Sequence, residues 1–322
     1  MASSSRVVLL GPQRVDPDLA EVLESLDCGS GPVAVVTAGW EEREGETLEL
    51  AHHLGAELRP LDLWPRGEEV MEQDGELREG LRERNRKLRE LQALYRTRLS
   101  HALEAARSLL SMEGEAVLIE PERASAIAAV HALDEHHRQR TRRIVTEFRE
   151  QWVPRERPSV ARHRAELEQK LEGCSCLCIA GGNVGFLLHR LRLFGVLELW
   201  GKGRPVIGWG AGSMVLTDEV VLFHDSPPQG AGDAEVFEDS LGVAPGIVAL
   251  PHADRRLALD DRTRVALFAR RFQPAHAVEL VRGSRLDWDG SEWTGKPGTR
   301  LLASSGELEE FGTRTLMAEA TA

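Results

Sequence analysis

Tyrosine occurs once, and aromatic side chains of all kinds make up only 5% of the 322 residues. The chain is therefore poor in the stacking surfaces that hold unpaired bases. Cysteine is scarce too, with four in all, and Cys174, Cys176 and Cys178 alternate along one segment. That spacing suits one face of a buried strand; it suits neither a disulfide framework nor a tetrahedral zinc site. Long apolar runs are missing: Val33 to Val36 and Leu177 to Ala180 fall far short of the roughly 20 residues a bilayer span requires. Met1 to Leu10 shows neither a basic n-region nor a cleavage site, so a cytoplasmic location is expected. A positive surplus is lacking as well. Forty Lys and Arg stand against 52 Asp and Glu, for a net charge of -12, which opposes general affinity for nucleic acid or a membrane surface.

What is present is 42% hydrophobic residues, enough for a real core. The charge is uneven. Residues 66–170 hold 21 basic and 20 acidic side chains, which leaves 19 against 32, or -13, for the remainder. Over the first 65 residues strands and helices alternate: apolar runs at Val7 to Leu10 and Val33 to Thr37, helical periods from Asp16 to Leu26 and Glu41 to Leu54, and a third strand from Glu57 to Leu63. From Pro65 to about Ser159 the pattern becomes one of long charged helices. Leu81, Leu88, Tyr95, Ala102 and Leu109 recur every seven residues and form an apolar stripe on a helix of roughly thirty residues. A second helix is expected from Glu122 to Trp152, with a short strand at Ala116 to Ile119 between the two, and Pro154 and Pro158 mark a boundary. Alternation resumes with strands at Cys174 to Ala180, Pro205 to Gly208, Val220 to Phe223 and Ile247 to Leu250. Helices follow the first of these, through Phe186 to Phe194, and the last, from Asp260 to Phe272. Turn signals between His276 and Leu302 predict hairpin strands.

The expectation is an α/β three-layer sandwich with a mostly parallel central sheet. Residues 1–65 and 166–322 would make its core, residues 66–165 a helical insertion, and the C-terminal region would add hairpins. The insertion's stripe needs a partner, either the second long helix or another subunit in a homodimer. Basic side chains from Arg82 to Arg89 and from Arg138 to Arg143 are interleaved with acids such as Glu79, Glu83 and Glu90, the pattern of a solvated helix face. The His131 to His137 group reads the same way, and no metal or cofactor is expected.

One glycine cluster carries chemistry. Ile207-Gly208-Trp209-Gly210-Ala211-Gly212 sits where a strand turns into a helix. It has the flanking glycines of a G-x-S-x-G nucleophile elbow but glycine at the centre. Around it lie Val35 to Gly39, Ala180-Gly181-Gly182-Asn183, Phe223-His224-Asp225-Ser226-Pro227 and, after a strand, Pro251-His252 followed by Arg255-Arg256. In this order they resemble peptidase family S51, the dipeptidase E and cyanophycinase group, whose fold is like that of class I glutamine amidotransferases. The resemblance covers about residues 5–65 and 166–282. It implies a nucleophile position at Gly210, His252 as base, Asp225 as the group orienting the imidazole, and the backbone N–H groups of Gly182 and Ala211 as oxyanion donors. Asn183 and Arg255 are candidates for holding substrate, and His224 competes with Asp225.

Glycine offers no attacking atom, so the family route is closed if Gly210 is the elbow centre. Ser213, three residues on, is the nearest alternative hydroxyl. Three readings follow: a family relative that has lost serine-peptidase activity and keeps a cleft for a small peptide or acidic amide; a working hydrolase with another nucleophile or with water activated by His252; and a scaffold acting through the helical insertion.

Overall fold

The computed structural model describes residues 6–15, 17–26, 28–225 and 232–315. The first apolar runs form β1 (Val7–Leu10) and β2 (Val33–Val36), buried at every position. Between them lies α1 (Leu19–Ser25); Asp16, expected to open it, lies outside the described residues. The single helix expected from Glu41 to Leu54 is broken in two. A 3-10 turn spans Ala38–Arg43, and α2 (Leu48–Leu54) follows. The cause is local, since Glu41 adopts φ 58° and ψ -127°, which no helix accommodates. Next comes β3 (Leu58–Pro60), shorter than expected because Leu63 already opens a helix.

Four helices link β3 to the next strand: α3 (Leu63–Gln73), α4 (Gly75–Ser111), α5 (Ala116–Trp152) and α6 (Pro158–Leu171). Asp74 caps α4 by accepting the Leu77 N–H at 2.9 Å, and Pro158 at the first position of α6 fits the one helical site that needs no N–H. The proline pair thus separates two helices. The strand expected at Ala116 to Ile119 is instead the first turn of α5. Val117 and Leu118 are largely exposed there, so no sheet edge is at hand to recruit them. The stripe on α4 is covered within the chain: Leu88, Tyr95, Leu99, Leu103 and Ala106 are buried, as are Val130, Leu133 and Phe148 of α5. Among the described residues, no helix is long and apolar enough to cross a membrane.

The chain then alternates through β4 (Cys176–Ile179), α7 (Val184–Phe194), α8 (Val196–Trp200), β5 (Val206–Trp209) and α9 (Ala211–Leu216). A two-stranded sheet follows, made of β6 (Glu219–Leu222) and β7 (Glu235–Asp239). The polar alternation of β7 gave no strand signal. After β8 (Ile247–Pro251), α10 (Ala253–Arg256) and α11 (Arg262–Phe272) come β9 (His276–Leu280), β10 (Arg285–Trp288), β11 (Glu292–Gly295), β12 (Arg300–Leu302), β13 (Leu308–Glu310) and β14 (Thr313–Thr315).

The large sheet is mixed, in the order β14-β11-β10-β1-β5-β4-β2-β3. The five strands from β1 to β3 run parallel, and β10, β11 and β14 extend them antiparallel. The expected hairpin region therefore completes the main sheet. Its first strand, β9, departs from a hairpin and pairs parallel with β8, in a second sheet of order β13-β12-β9-β8. Strand alternation divides the core into two layers. Val8, Leu10, Val33, Val35, Cys176 and Cys178 pack against α1 and α2, whereas Val7, Leu9, Ala34, Val36, Leu177 and Ile179 face the larger helical side. Cys174 lies ahead of the strand and packs on that larger side, apart from the other two.

Candidate functional site

At the carboxyl ends of the parallel strands, where open α/β sheets bind ligands, lies a cleft of about 1190 Å³. Its floor is the turn from β5 into α9. Gly210 takes φ 58° and ψ -126°, a conformation that disfavours any side chain, and two residues later α9 lies against the β4 backbone. A β-carbon on Gly212 would sit 1.9 Å from the carbonyl oxygen of Ile179, so only glycine allows that approach. The elbow geometry expected from the sequence is present, with no side chain at its apex.

Gly181 and Gly182, on the turn after β4, line the same cleft, as do Ala211 and His252. Among the described residues, neither a carbonyl nor a side chain accepts the N–H of Gly182 or Ala211. His252 follows β8 in left-handed backbone, φ 58° and ψ 32°, and its own N–H is held by Leu280 O at 3.1 Å. Burial, followed by the nearby Arg256 guanidinium, pushes the imidazole pKa below its ordinary value. The ring is therefore neutral near pH 7 and able to take a proton.

The remaining expected residues have other partners. The Asp225 carboxylate accepts from Arg264 Nη2 through Oδ1 and from the Ala258 N–H through Oδ2, the latter at 2.7 Å. Neighbouring His224 lines the cleft, while Ser226 and Pro227 of the same motif lie outside the described residues. Asn183 caps α7, its Oδ1 accepting from the N–H groups of Gly185 and Phe186, and its Nδ2 donates to Glu41. The Arg255 side chain is 80% exposed beside Asp254. It is Arg256 that lines the cleft, one helical turn after His252, a spacing that sequence periodicity could have pointed out. Ser213 is fully buried, and its hydroxyl donates to Gly208 O at 2.8 Å and Leu10 O at 3.1 Å. The cleft wall formed by Arg96 and Glu235, paired at 2.7 Å, gave no sequence signal because their partnership spans 139 positions.

Among the described residues no serine, threonine or cysteine lines the cleft. The arrangement offers two N–H donors, a neutral imidazole and the cations Arg14 and Arg256, beside Arg43 and Arg96 paired with Glu46 and Glu235, Asp233 paired with Arg107, and Glu49. It can hold a carbonyl or carboxylate oxygen and presents no attacking hydroxyl or thiol.

An α/β sheet with a glycine-flanked elbow at its carboxyl edge defines a hydrolase-type architecture. The chain belongs to peptidase family S51, whose model matches residues 96–291. Among solved structures it is similar to a peptidase from an acI-B1 Actinobacterium, at 14% identity over 98% of each chain with a TM-score of 0.50. It is also similar to a putative peptidase E from Listeria monocytogenes EGD-e, at 12% identity over 91% of this chain and 98% of that one, with a TM-score of 0.44. No curated protein matches the sequence.

Proposed function

We propose that the protein has lost serine-peptidase activity and binds, without cleaving, a small peptide or acidic amide in the cleft around Gly182, Gly210 and His252. The observation carrying this reading is the backbone of Gly210, which keeps an elbow's strained φ and ψ while supplying no nucleophile. The N–H groups of Gly182 and Ala211 would receive a carbonyl oxygen, as oxyanion donors do. Arg14 and Arg256, which have no carboxylate partner among the described residues, support the acidic preference. His252 lines the ligand's path, and Asp225 serves the loop through Arg264.

Calorimetric titration of acidic dipeptides tests this reading. Saturable binding without turnover, lost in His252→Ala, is expected. Covalent labelling of the unaltered chain by a fluorophosphonate would instead reveal a working hydrolase. We further propose the bend between α4 and α5, where Val117 and Leu118 are 77% and 67% exposed, as the surface of a homodimer. A monomer in light scattering at all concentrations would reject that contact.

A further inference from the structure

A second cavity, of about 550 Å³, lies between α4, α5 and α7. Its size suits a small ligand, and its lining is strongly basic. Seven arginines border it against two glutamates, Glu68 and Glu198. Several of these arginines are neutralised. Arg190 pairs with Glu68, Arg155 with Glu198, Arg192 with the buried Glu238 at 2.8 Å, and Arg82 with Glu79 at 2.7 Å.

Two are not. Arg84 donates only to the neutral Asn85 Oδ1, at 2.8 and 3.1 Å, and its guanidinium lies 5.0 Å from the Phe148 ring centre. The Arg149 side chain has no hydrogen bond or ion pair among the described residues. The surroundings disfavour both charges: burial pushes the Arg84 pKa down to about 10, and burial together with Arg192 and Arg155 lowers that of Arg149. The buried Nε atoms of Arg78 and Arg190, which also border the cavity, have no acceptor. Val153, a β-branched residue, sits in left-handed backbone at φ 39° and ψ 57°, where such side chains are outliers. That turn carries the chain from Arg149 to Arg155 along the cavity wall. Opposite, Phe186 remains 39% exposed and, with Phe148, gives the cavity an aromatic side.

We propose that this cavity binds a phosphorylated small molecule, its phosphoryl oxygens on Arg84 and Arg149 and its apolar or aromatic body against Phe148 and Phe186. Two guanidinium groups with no directly bonded carboxylate can receive a compact dianion, and their planar forks match phosphoryl oxygens. A bound dianion would offset the mutual repulsion of Arg84, Arg149, Arg155 and Arg192.

The test is calorimetric titration of the full chain with ADP, inorganic pyrophosphate and citrate. ADP is expected to bind saturably and raise the melting temperature. Pyrophosphate, with no body for the aromatic side, is expected to bind more weakly. Arg84→Gln and Arg149→Gln should each weaken ADP roughly tenfold or more, and the unliganded Arg149→Gln protein should melt no lower than the parent, since it loses a mutually repelling charge. His252→Ala should leave ADP affinity unchanged, which separates this site from the cleft at Gly210. Absence of saturable binding by ADP and pyrophosphate at millimolar concentration would overturn the proposal. So would citrate binding as tightly as pyrophosphate, or ADP affinity that depends on His252 and not on Arg149.

Discussion

A β-carbon placed on Gly210 would lie 3.3 Å from the Cα of Gly181, with no other atom nearer. The elbow and the glycine turn after β4 thus touch, and a β-carbon at the apex fits only if the Gly181 backbone yields by a few tenths of an ångström.

Gly210→Ser is expected to fold, with a backbone cost on the order of 1–3 kcal/mol from its positive φ. Gly212→Ala, whose new carbon meets the Ile179 carbonyl oxygen at 1.9 Å, should cost more than that or prevent folding. Urea unfolding of the two variants checks the ordering. Peptide hydrolysis by Gly210→Ser that the parent does not show, and that His252→Ala abolishes, would mean that His252 is placed to accept a proton.

The charges acting on His252 are those of Arg256, Asp254 and Arg255, with Asp225 engaged by Arg264 and Ala258. Arg256→Gln should therefore raise the His252 pKa, because a nearby positive charge is removed. Asp254→Asn should lower it, and Asp225→Asn should leave it nearly unchanged. Titration of the imidazole protons by NMR distinguishes these outcomes, and a clear drop in Asp225→Asn would mean that this carboxylate orients the ring after all.

A buried cluster helps to fasten the helical hairpin to the core, beside ion pairs such as Arg96–Glu235 and Arg142–Asp239. Arg271, fully enclosed, donates to both oxygens of Asp134 at 2.6 and 2.9 Å and to Tyr95 Oη at 2.9 Å, and Tyr95 in turn donates to Asp134 at 2.6 Å. Asp134→Ala leaves a guanidinium buried without its counter-charge and should cost about 3–5 kcal/mol. Tyr95→Phe keeps the pair and should cost about 1 kcal/mol. Chemical denaturation gives the magnitudes, and hydrogen exchange should place the loosening in α4 and α5.

His137 is buried against Tyr95, ring on ring at 4.1 Å, and bonds Gln92 Oε1 at 2.9 Å. Burial depresses its pKa to about 4. Between that value and the unfolded value near 6.5 the unfolded chain binds the extra proton, so stability falls as pH drops through this window, by roughly 3 kcal/mol from this residue. His163 and His189, also depressed, act in the same direction. The carboxyls of Glu44 and Glu219, raised by burial, act against it. Urea midpoints at pH 7 and pH 5 are expected to differ by the part of this loss that falls above pH 5, roughly 2 kcal/mol, with a smaller difference in His137→Gln.

The sequence made the parallel half of the sheet legible because Val7–Leu10, Val33–Val36 and Cys176–Ile179 are buried on both faces and read as unbroken apolar runs. β7 was silent, since three of its five residues are the acids Glu235, Glu238 and Asp239, held by arginines elsewhere in the chain, which leaves Val236 and the half-buried Phe237 to the core. α3 and α6 were hidden by prolines that start helices as readily as they end them. At the site, the glycine spacing around position 210 revealed the elbow, because backbone crowding alone imposes those glycines. What Asp225 binds was out of reach: Arg264 lies 39 positions away on a separate helix, and a carboxylate's choice of partner leaves no periodic trace.

The eleven residues of α7 begin beside the glycine turn and continue along the arginine cavity. Val184 borders the first space, and Phe186, His189, Arg190 and Leu193 border the second. A single rod about 16 Å long is thus shared between two chambers. A molecule that shifts this rod on entering one chamber changes the fit of the other, and by thermodynamic reciprocity the influence runs equally in both directions.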